Sequence, residues 1–595
     1  MPPVQEPISD PVFEAFNLEL VPGSGGGDPL AMAGEALRRA MLEELDRDPE
    51  GWRVEAVHAS RPEAFDLVPP EEGALAPAEA WQVTYALHRQ PGVADAEPSF
   101  TLLQDNMEPS PDGLQSAAED AGGTAAAGVM AANAAITDGC QAPASVDEKE
   151  FDWSPKLIRA HQAWDLTPPA GGASRGRGIR IGHPDSGFIR HPELFDPATG
   201  EPNRVLANLG RDFVDGDANA EDTDGDHGLG TASVLMSLDR VVLPAGFVTG
   251  VAPEAEVVPL RVAKKRFLIP VPVLFESGMN RLRKAIYYAV DEADCHVISI
   301  SLGWLKNKGV HEAVKHAVGK DVIIVAAAGN RVGFVVWPAA YPEVIAVAGC
   351  TSTRRKWSGS SHGRAVSVTG PAKNVWKAAD GANRVVQSDG TSFATPSTAG
   401  IAALWLAFHG RDALIARYGG EFRLATIFRW VLERACDPRP TDDSDGEFGK
   451  GIINACRTLT TPLPKLDELR MAAEPHLLEA FAAAAPSPVV TSGIEAVARA
   501  FPDVPRPVLE ERLAPFFQAA PQGAAEMAGR LRGVGEELVF QIATSPELRR
   551  LVLGTPSSPL SPEVAAMATA AQPEAAVRDQ ALGQFSRRLR ERMGQ

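Results

Sequence analysis

Between residues 151 and 461, continuous apolar runs alternate with helical stretches, and this alternation restricts the fold more than any other feature of the chain. The runs include AEVVPLRV, HVISISLG, DVIIVAAAGN and VIAVAGC, and stretches such as GMNRLRKAIYYAVDEA separate them. Strands that are apolar along their whole length are typical of a parallel sheet covered by helices on both faces. We therefore predict an α/β region with a doubly wound, mostly parallel sheet.

The flanking segments have different patterns. Residues 12–103 predict a small α+β unit, because strand-like and helical segments follow one another in the order βαββαβ of a ferredoxin-like domain. Residues 104–150 lose this periodicity and are rich in Ala, Gly, Pro and Ser, which predicts a flexible linker. Residues 462–595 are rich in Ala and Pro without strand-like alternation, and predict an all-α region.

Charge and cysteine content exclude several classes of protein. The formal net charge of -20 argues against binding to nucleic acid or an anionic membrane, since a phosphate surface needs a basic face. No apolar run approaches the roughly 18 residues of a membrane span, and we find no secretory signal, so we expect a cytoplasmic protein. The five cysteines are widely spaced and odd in number. This favours a reducing compartment over a zinc site or a disulfide framework.

Four polar residues stand where the predicted α/β region would form a functional site. Asp185 ends the apolar strand in IRIGHPDSG and Asn330 ends VIIVAAAGN, and doubly wound folds form their sites at the carboxyl ends of strands. His227 opens a helix, and Ser392 precedes a small-residue helix with Pro396 in its first turn. Each residue also has a structural interpretation, as a turn residue (Asp185, Asn330), a helix-start residue (His227) or a helix cap (Ser392).

Taken together, the four residues form a hydrolytic set. Serine is a weak nucleophile at neutral pH and needs an adjacent base, which His227 would supply. Asp185 would hold the imidazole in one tautomer and stabilise the imidazolium, and the Asn330 side chain would donate to the oxyanion. The chain order Asp, His, Ser is that of subtilisin among triads of this type. One hydrolytic site therefore explains the four residues better than four unrelated structural roles do.

The motifs around these residues resemble those of the subtilisin-like serine proteases, or subtilases. DSG followed by HPEL, then HGLGTAS, then GTSFATPSTAG, are similar to the family's aspartate, histidine and serine motifs, and the last is highly specific. The similarity runs from Trp153 to about residue 461. It implies a subtilisin-like protease domain over residues 151–461 and a serine endopeptidase activity, with the four residues in the roles given above.

The same resemblance assigns the substrate cleft. Ser301, Leu302 and Gly303 are similar to the strand that pairs with an extended substrate. A run of small residues is similar to one wall of the pocket for the residue before the scissile bond. This run consists of Ala326, Ala327, Ala328 and Gly329. Small side chains there leave room for a medium or large apolar group.

Two features depart from the family pattern. Leu229 and Gly230 stand where the histidine motif usually has Thr and often His. The segment DRVVLPAGFVTGVAP supplies almost no oxygen ligands, so we expect the family's calcium site to be absent and no cofactor to be needed. The acidic run DGDANAEDTDGD does not fit an EF-hand, because His227 falls where Gly is required. We expect a solvated loop, with Asp224 or Asp226 as weaker candidates for favouring basic substrate side chains.

The resemblance also suggests roles for the flanking segments. An α+β module directly upstream is similar to the family's propeptide, so residues 12–103 are expected to inhibit the protease until the linker is cut. A ferredoxin-like accessory domain is the alternative.

We expect a protein or peptide substrate, and a protein partner for residues 462–595. Two other functions remain open: a catalytically silent subtilase fold that binds proteins, and an esterase or lipase, which is disfavoured because no G-x-S-x-G elbow surrounds Ser392.

Overall fold

The structure is a computed structural model. It describes residues 11–23, 28–71, 73–104, 108–109, 139–196, 199, 204–221, 226–237, 246–266, 274–303, 306–381, 384–438, 447–471, 493–517, 527, 531, 533–554, 579 and 582–595. Asp224, most of the predicted linker and part of the segment predicted to lack calcium ligands lie outside these residues.

The N-terminal unit is an antiparallel sheet with two helices. Its elements are β1 (Val12–Leu20), α1 (Pro29–Leu45), β2 (Arg53–His58), β3 (Arg61–Val68), α2 (Pro77–Leu87) and β4 (Val93–Gln104). The strands lie in the order β2-β3-β1-β4 with antiparallel neighbours. Helix α1 begins after Asp28, whose carboxylate accepts from the backbone N–H of Leu30. The predicted βαββαβ order is confirmed.

The α/β region of residues 151–461, called the catalytic region after its predicted role, contains the described strands that follow β5 (Glu108–Pro109), a strand of two residues. Its own strands are β6 (Arg180–Asp185), β7 (Arg211–Asp212), β8 (Glu256–Arg261), β9 (Ala263–Arg266), β10 (Leu274–Gly278), β11 (Val297–Ile300), β12 (Ile323–Ala327), β13 (Ile345–Cys350), β14 (Val368–Pro371), β15 (Val375–Ala379) and β16 (Arg384–Asp389).

Helices connect these strands. They are α3 (Trp153–Leu157), α4 (Ala160–Trp164), α5 (His227–Met236), α6 (Met279–Asp291), α7 (Lys308–Gly319), α8 (Thr391–His409), α9 (Arg411–Tyr418), α10 (Leu424–Ala435) and α11 (Ala455–Thr460).

Seven parallel strands form the central sheet, in the order β14-β13-β12-β11-β6-β8-β7. Every residue of β11, β12 and β13 is buried. Such strands need helices on both faces, which explains why their sequences are continuously apolar rather than alternating. The predicted doubly wound, mostly parallel sheet is confirmed.

Helix α8 differs from its prediction at its N-terminus. It begins at Thr391, with Gly390 as the N-cap residue, so Pro396 lies inside the helix rather than in its first turn. Ser392 is therefore not a helix cap. The reason is that Gly390 supplies the backbone conformation, with φ of +158°, that turns the chain from β16 into the helix.

Two sheets join the N-terminal unit to the catalytic region. Strand β4 pairs with β10, which pairs with β9, so the N-terminal sheet gains two strands of the catalytic region. Strand β5 pairs with β16, placing Glu108 beside Asp389 and Pro109 beside Ser388. The chain therefore passes from the N-terminal unit towards the segment that leads into Ser392.

The described residues beyond 462 contain helices and no strand, as predicted. They include α12 (Gly493–Ala500), α13 (Arg506–Leu513), α14 (Gly535–Thr544), α15 (Pro546–Leu553) and α16 (Arg587–Met593). The Phe540 ring lies 5.8 Å from that of Trp81 and 4.4 Å from that of Phe100 in the N-terminal unit. The Phe501 ring lies 5.4 Å from that of Phe334 in the catalytic region. The C-terminal helices thus contact both preceding parts of the chain.

One prediction about the cysteines is wrong. Cys140 and Cys456 form a disulfide that links the end of the predicted linker to α11. The two residues are 316 positions apart, so only the folded chain brings them together. Residues at that end of the linker also lie against the catalytic region, where Val146 N–H donates to the Ser352 carbonyl.

No described helix has the length and apolar character to span a bilayer. The cytoplasmic location stays a prediction.

Candidate active site

The predicted residues lie in two groups at the carboxyl edge of the central sheet. Asp185 is the last residue of β6 and meets His227, the first residue of α5. Asn330 follows β12 and meets Thr391, the neighbour of Ser392 at the start of α8. The two groups adjoin, because β11 lies between β6 and β12 and α5 packs against α8.

Asp185 and His227 form a buried pair. Asp185 Oδ1 lies 2.6 Å from His227 Nδ1, and neither side chain is exposed. Burial alone raises the pKa of Asp185, but the attraction and hydrogen bond of His227 outweigh it and hold that pKa below the ordinary value of an aspartate. An ionised carboxylate only accepts hydrogen bonds, so Nδ1 of His227 carries the proton and a neutral ring has its basic site at Nε2.

Ser392 is held against the segment that follows β11. Its Oγ lies 3.4 Å from the Ser301 carbonyl oxygen, and Ser301 Oγ donates to the Ser392 carbonyl at 2.9 Å. That carbonyl would normally accept the helix N–H four residues later, but residue 396 is proline and has none. Ser301 therefore replaces the helical hydrogen bond that Pro396 removes, and ties Ser392 to the neighbouring strand.

The side chain of Asn330 has a defined orientation. Its Oδ1 accepts from the Thr391 N–H at 3.0 Å and from Thr391 Oγ1 at 2.8 Å. Because both contacts use the amide oxygen, the amide nitrogen is directed to the other side. The amide N–H groups therefore point away from Thr391, the residue that precedes Ser392.

The predicted substrate residues line the same edge. Ser301, Leu302 and Gly303 follow β11 directly, and a Cβ on Gly303 would lie 2.2 Å from the Trp337 carbonyl oxygen. Among the small residues of the predicted pocket wall, Ala326 and Ala327 end β12. Ala328 and Gly329 follow them, and their role in a substrate pocket stays a prediction.

Val336 packs on the predicted pocket wall, a contact that the sequence did not predict. Its N–H donates to the Ala328 carbonyl at 3.0 Å, and a Cβ on Gly329 would lie 2.9 Å from Val336 Cγ1. The side chain thus covers the backbone of Gly329. No local pattern places Val336 there, since the loop after Asn330 folds back onto the strand it left.

The acidic segment before His227 is partly described. Asp226 lies 3.0 Å from the Lys377 ammonium and accepts from the Asp380 N–H. A Cβ on Gly230 would lie 2.4 Å from Lys377 Cδ, so the glycine provides the space through which Lys377 reaches Asp226. This explains one departure in the histidine motif. Among the described residues, no group of three or more His, Cys, Asp or Glu side chains is placed to hold a metal ion.

Two further side chains adjoin Asp185 and were not predicted as site residues. His183 Nε2 lies 2.9 Å from Thr231 Oγ1, and Thr231 Oγ1 lies 3.2 Å from Asp185 Oδ2. The periodicity of strand and helix explains their positions beside the predicted pair. His183 shares a strand face with Asp185 two residues later, and Thr231 shares a helix face with His227 four residues earlier.

Comparison with known proteins relates the sequence to one family. A sequence model of the subtilase family matches residues 176–449. Thermitase of Thermoactinomyces vulgaris is 33% identical over 267 residues, which cover 44% of this chain and 84% of thermitase. The major intracellular serine protease of Bacillus subtilis is 29% identical over 349 residues, which cover 56% of this chain and 94% of that protein.

A solved structure shows the same fold. The crystal structure of fervidolysin from Fervidobacterium pennivorans superposes with a TM-score of 0.52 at 18% sequence identity, covering 76% of this chain. The match spans 62% of the fervidolysin chain, less than two thirds of it. Fold, motif spacing and the extensive match to thermitase lead to one conclusion: the chain belongs to the subtilase family and is a subtilisin-like serine endopeptidase.

Proposed function

We propose that this endopeptidase cleaves peptide bonds with Ser392 as nucleophile, His227 as base, Asp185 as its orienting carboxylate and Asn330 as oxyanion donor. The observation that carries the proposal is the buried hydrogen bond of 2.6 Å between Asp185 and His227, on the sheet edge that also holds Ser392. Any one of these residues has an ordinary structural role. Deprotonation of a serine hydroxyl is the single function that uses all of them together.

The proposed reaction follows from the protonation states. His227 Nε2 takes the proton of Ser392 Oγ as that oxygen attacks the carbonyl carbon of the peptide. Asp185 stabilises the imidazolium, and Asn330 together with the N-terminus of α8 stabilises the negative charge on the carbonyl oxygen. His227 then gives the proton to the leaving amine. A water molecule, deprotonated by the same imidazole, releases the acyl group.

The proposed substrate is an extended peptide. Ser301–Gly303 offers backbone groups along the sheet edge, and a peptide strand pairs with such groups irrespective of its side chains. Selectivity then comes from the pocket beside Ala326–Gly329, where Val336 covers the glycine. The small wall residues admit an apolar side chain before the scissile bond.

We also propose that the full chain is an inhibited precursor. A peptidase must expose its nucleophile and base to substrate, yet the Ser392 residue is 2% exposed and His227 is fully buried. Strand β4 ends against β10, and β5 lies beside the strand that leads to Ser392. In this proposal the edge of the N-terminal unit and the short strand β5 restrict the approach to the site. Tethering keeps an inhibitor at roughly millimolar local concentration, so even a modest fit blocks the cleft until the tether is cut.

A polar seam supports this role for the N-terminal unit. Asp66 in β3 pairs with Arg283 in α6, and both side chains are buried. Asn17 in β1 donates to Asn280 at 2.6 Å and accepts from Asn307 at 3.1 Å. These contacts match specific groups across the boundary, so the N-terminal unit is docked in one position, as an inhibitor must be.

The test compares the wild type with Ser392→Ala, using Ser397→Ala in the same helix as the matched control. Ser397 is also buried, and its Oγ donates only to the Phe393 carbonyl. Wild type and Ser397→Ala should be labelled at Ser392 by a fluorophosphonate and, on a reducing gel that opens the disulfide of α11, should separate into two fragments cut between about residues 102 and 150. Ser392→Ala should stay one chain without turnover.

Two results would contradict the proposal. Turnover by Ser392→Ala would show that another group is the nucleophile. Absence of label on folded, processed wild type would favour the catalytically silent, protein-binding alternative. Equal activity of the uncut full chain and the isolated 151–595 chain would refute inhibition and make the N-terminal unit an accessory domain.

A further inference from the structure

The second oxygen of Asp185 has its own set of neighbours. Oδ1 receives His227 Nδ1 at 2.6 Å and the Ser186 N–H at 2.7 Å. Oδ2 lies 3.2 Å from Thr231 Oγ1 and 3.8 Å from His183 Nε2. A buried carboxylate needs donors at both oxygens, because water does not reach it. Thr231 and His183 are therefore the groups that decide how Oδ2 is satisfied.

The fold places both side chains by simple periodicity. His183 precedes Asp185 by two residues in β6, so the two side chains leave the strand on one face. Thr231 follows His227 by four residues in α5, so both face β6. His183 is 1% exposed and Thr231 is fully buried. Neither touches the approach to Ser392, so substrate binding does not explain them.

The number of donor protons available around Thr231 selects one hydrogen-bond arrangement. Thr231 has a single hydroxyl proton and four possible acceptors: the carbonyls of His227 and Gly228 at 3.0 and 3.3 Å, Asp185 Oδ2 at 3.2 Å and, when that nitrogen carries no proton, the ring Nε2 of His183 at 2.9 Å. The two carbonyls already receive N–H groups of their own helix. The charged carboxylate is the stronger acceptor and has the greater need. With the Thr231 proton on Asp185, the contact of 2.9 Å to His183 requires that His183 Nε2 donates.

We propose that His183 and Thr231 form a hydrogen-bond chain, from His183 Nε2–H to Thr231 Oγ1 and from Thr231 Oγ1–H to Asp185 Oδ2, that positions Asp185 for its work on His227. The two are positioning residues, since neither touches the reacting atoms. The inference rests on the proposed roles of Asp185, His227 and Ser392.

The charge state of His183 agrees with this role. Burial lowers the pKa of His183 against the opposing attraction of Asp185, and a positive charge formed on His227 during the reaction would lower it further. A neutral His183 donates a hydrogen bond without adding a second positive charge beside Asp185. The carboxylate charge then remains available to the imidazolium that forms on His227.

The test removes the hydroxyl with Thr231→Val, which keeps the side-chain shape. Thr458→Val is the matched control, because Thr458 is buried in α11 and its hydroxyl donates to the Asn454 carbonyl of its own helix rather than to a charged group. Loss of a hydrogen bond to a charged group should lower kcat about 10- to 100-fold with KM unchanged. Thr231→Ser should restore the rate, and the fluorophosphonate labelling rate of Ser392 should follow kcat.

A second variant tests the chain rather than the single bond. His183→Leu should also lower kcat, and the double variant His183→Leu/Thr231→Val should cost little more than Thr231→Val alone, since both interrupt one chain. Wild-type kcat in Thr231→Val, or fully additive losses, would overturn the inference. If Thr231→Val fails to fold, a wild-type kcat in the double variant Thr231→Ser/His183→Leu would overturn the inference instead. Failure of the proposed function itself is distinguishable, because wild-type Ser392 would then not be labelled.

Discussion

The buried contact between Asp66 and Arg283 allows a quantitative test of inhibition by the N-terminal unit. Asp66 is fully buried in the full chain, and its carboxylate contacts Arg283 and, at 3.4 Å, the Lys284 ammonium across the seam. When the N-terminal unit leaves, these charges return to water. The substitution Asp66→Asn therefore weakens the bound state far more than the free fragment.

The size of the effect follows from the burial. Breaking a buried ion pair costs about 3–5 kcal/mol, because the remaining charge stays in the interface without its partner. Asparagine keeps one oxygen that accepts from Arg283, so we expect the lower end, about 3 kcal/mol. Because about 1.4 kcal/mol is a factor of ten in an equilibrium constant, the inhibition constant should rise roughly 100-fold.

The assay uses processed wild-type enzyme separated from its N-terminal fragment. A fragment of residues 1–105 is added back, and inhibition of peptide hydrolysis gives the inhibition constant. Asp48→Asn is the matched control, since Asp48 pairs with Arg38 on the exposed face of the fragment and its side chain is 56% exposed. Such surface pairs contribute about 0–1 kcal/mol. If folded Asp66→Asn fragment inhibits as well as Asp48→Asn fragment, the seam does not hold the inhibitor in place.

Three further predictions concern the oxyanion donor, pH and the C-terminal helices. Asn330→Ala should lower kcat by about 10²–10³-fold with little change in KM, a range known for a single such donor in subtilisin, whereas a pure KM effect would make Asn330 a substrate-binding residue. Burial, with the nearby charge of Glu536, raises the pKa of Glu97 to about 8 where this residue meets Lys308. Protonated Glu97 therefore favours the bound fragment. Its contribution to binding is complete below the pKa of a free glutamate, about 4.3, and is lost as the pH rises through about 8. Inhibition by the 1–105 fragment should weaken over this window and Glu97→Gln should flatten the profile; identical profiles would exclude Glu97 as the cause. Deletion of residues 462–595 should spare cleavage of a short peptide but impair cleavage of the natural target, and loss of both activities would assign the segment to the catalytic core.

The sequence predicted those features that repeat over short distances. Apolar runs such as Ile323–Ala327 identify strands because burial on both faces leaves no polar position, and the order of elements in the N-terminal unit follows from the same periodicities. Asp185 and Ser392 were recognised because each is a polar residue at the boundary of an apolar run. Asp185 ends strand β6, and Ser392 lies at the start of helix α8. These signals are local, and they were sufficient for the central sheet and for the identity of the candidate residues.

Contacts between distant segments were not predictable in this way. The pairing of β4 with β10 depends on backbone groups, which every sequence possesses, so no side-chain pattern encodes it. The link between Cys140 and Cys456 and the return of Val336 onto Gly329 likewise depend on the folded path of the chain. The proposed role of His183 went unrecognised for a different reason: a lone histidine in an apolar strand is unremarkable until its neighbours are known.

Strand β4 lies between β1 and β10, so in the full chain it has hydrogen-bonded neighbours on both sides. Departure of the N-terminal unit divides this sheet and creates two edge strands, one on each product. Each edge presents a row of unpaired N–H and C=O groups that can accept a strand from another molecule. The β10 edge of one molecule can then take up the β4 of another, which is strand exchange between copies. If the N-terminal unit is released as proposed, activation at high protein concentration would favour aggregation, and prompt digestion of the released unit would prevent it.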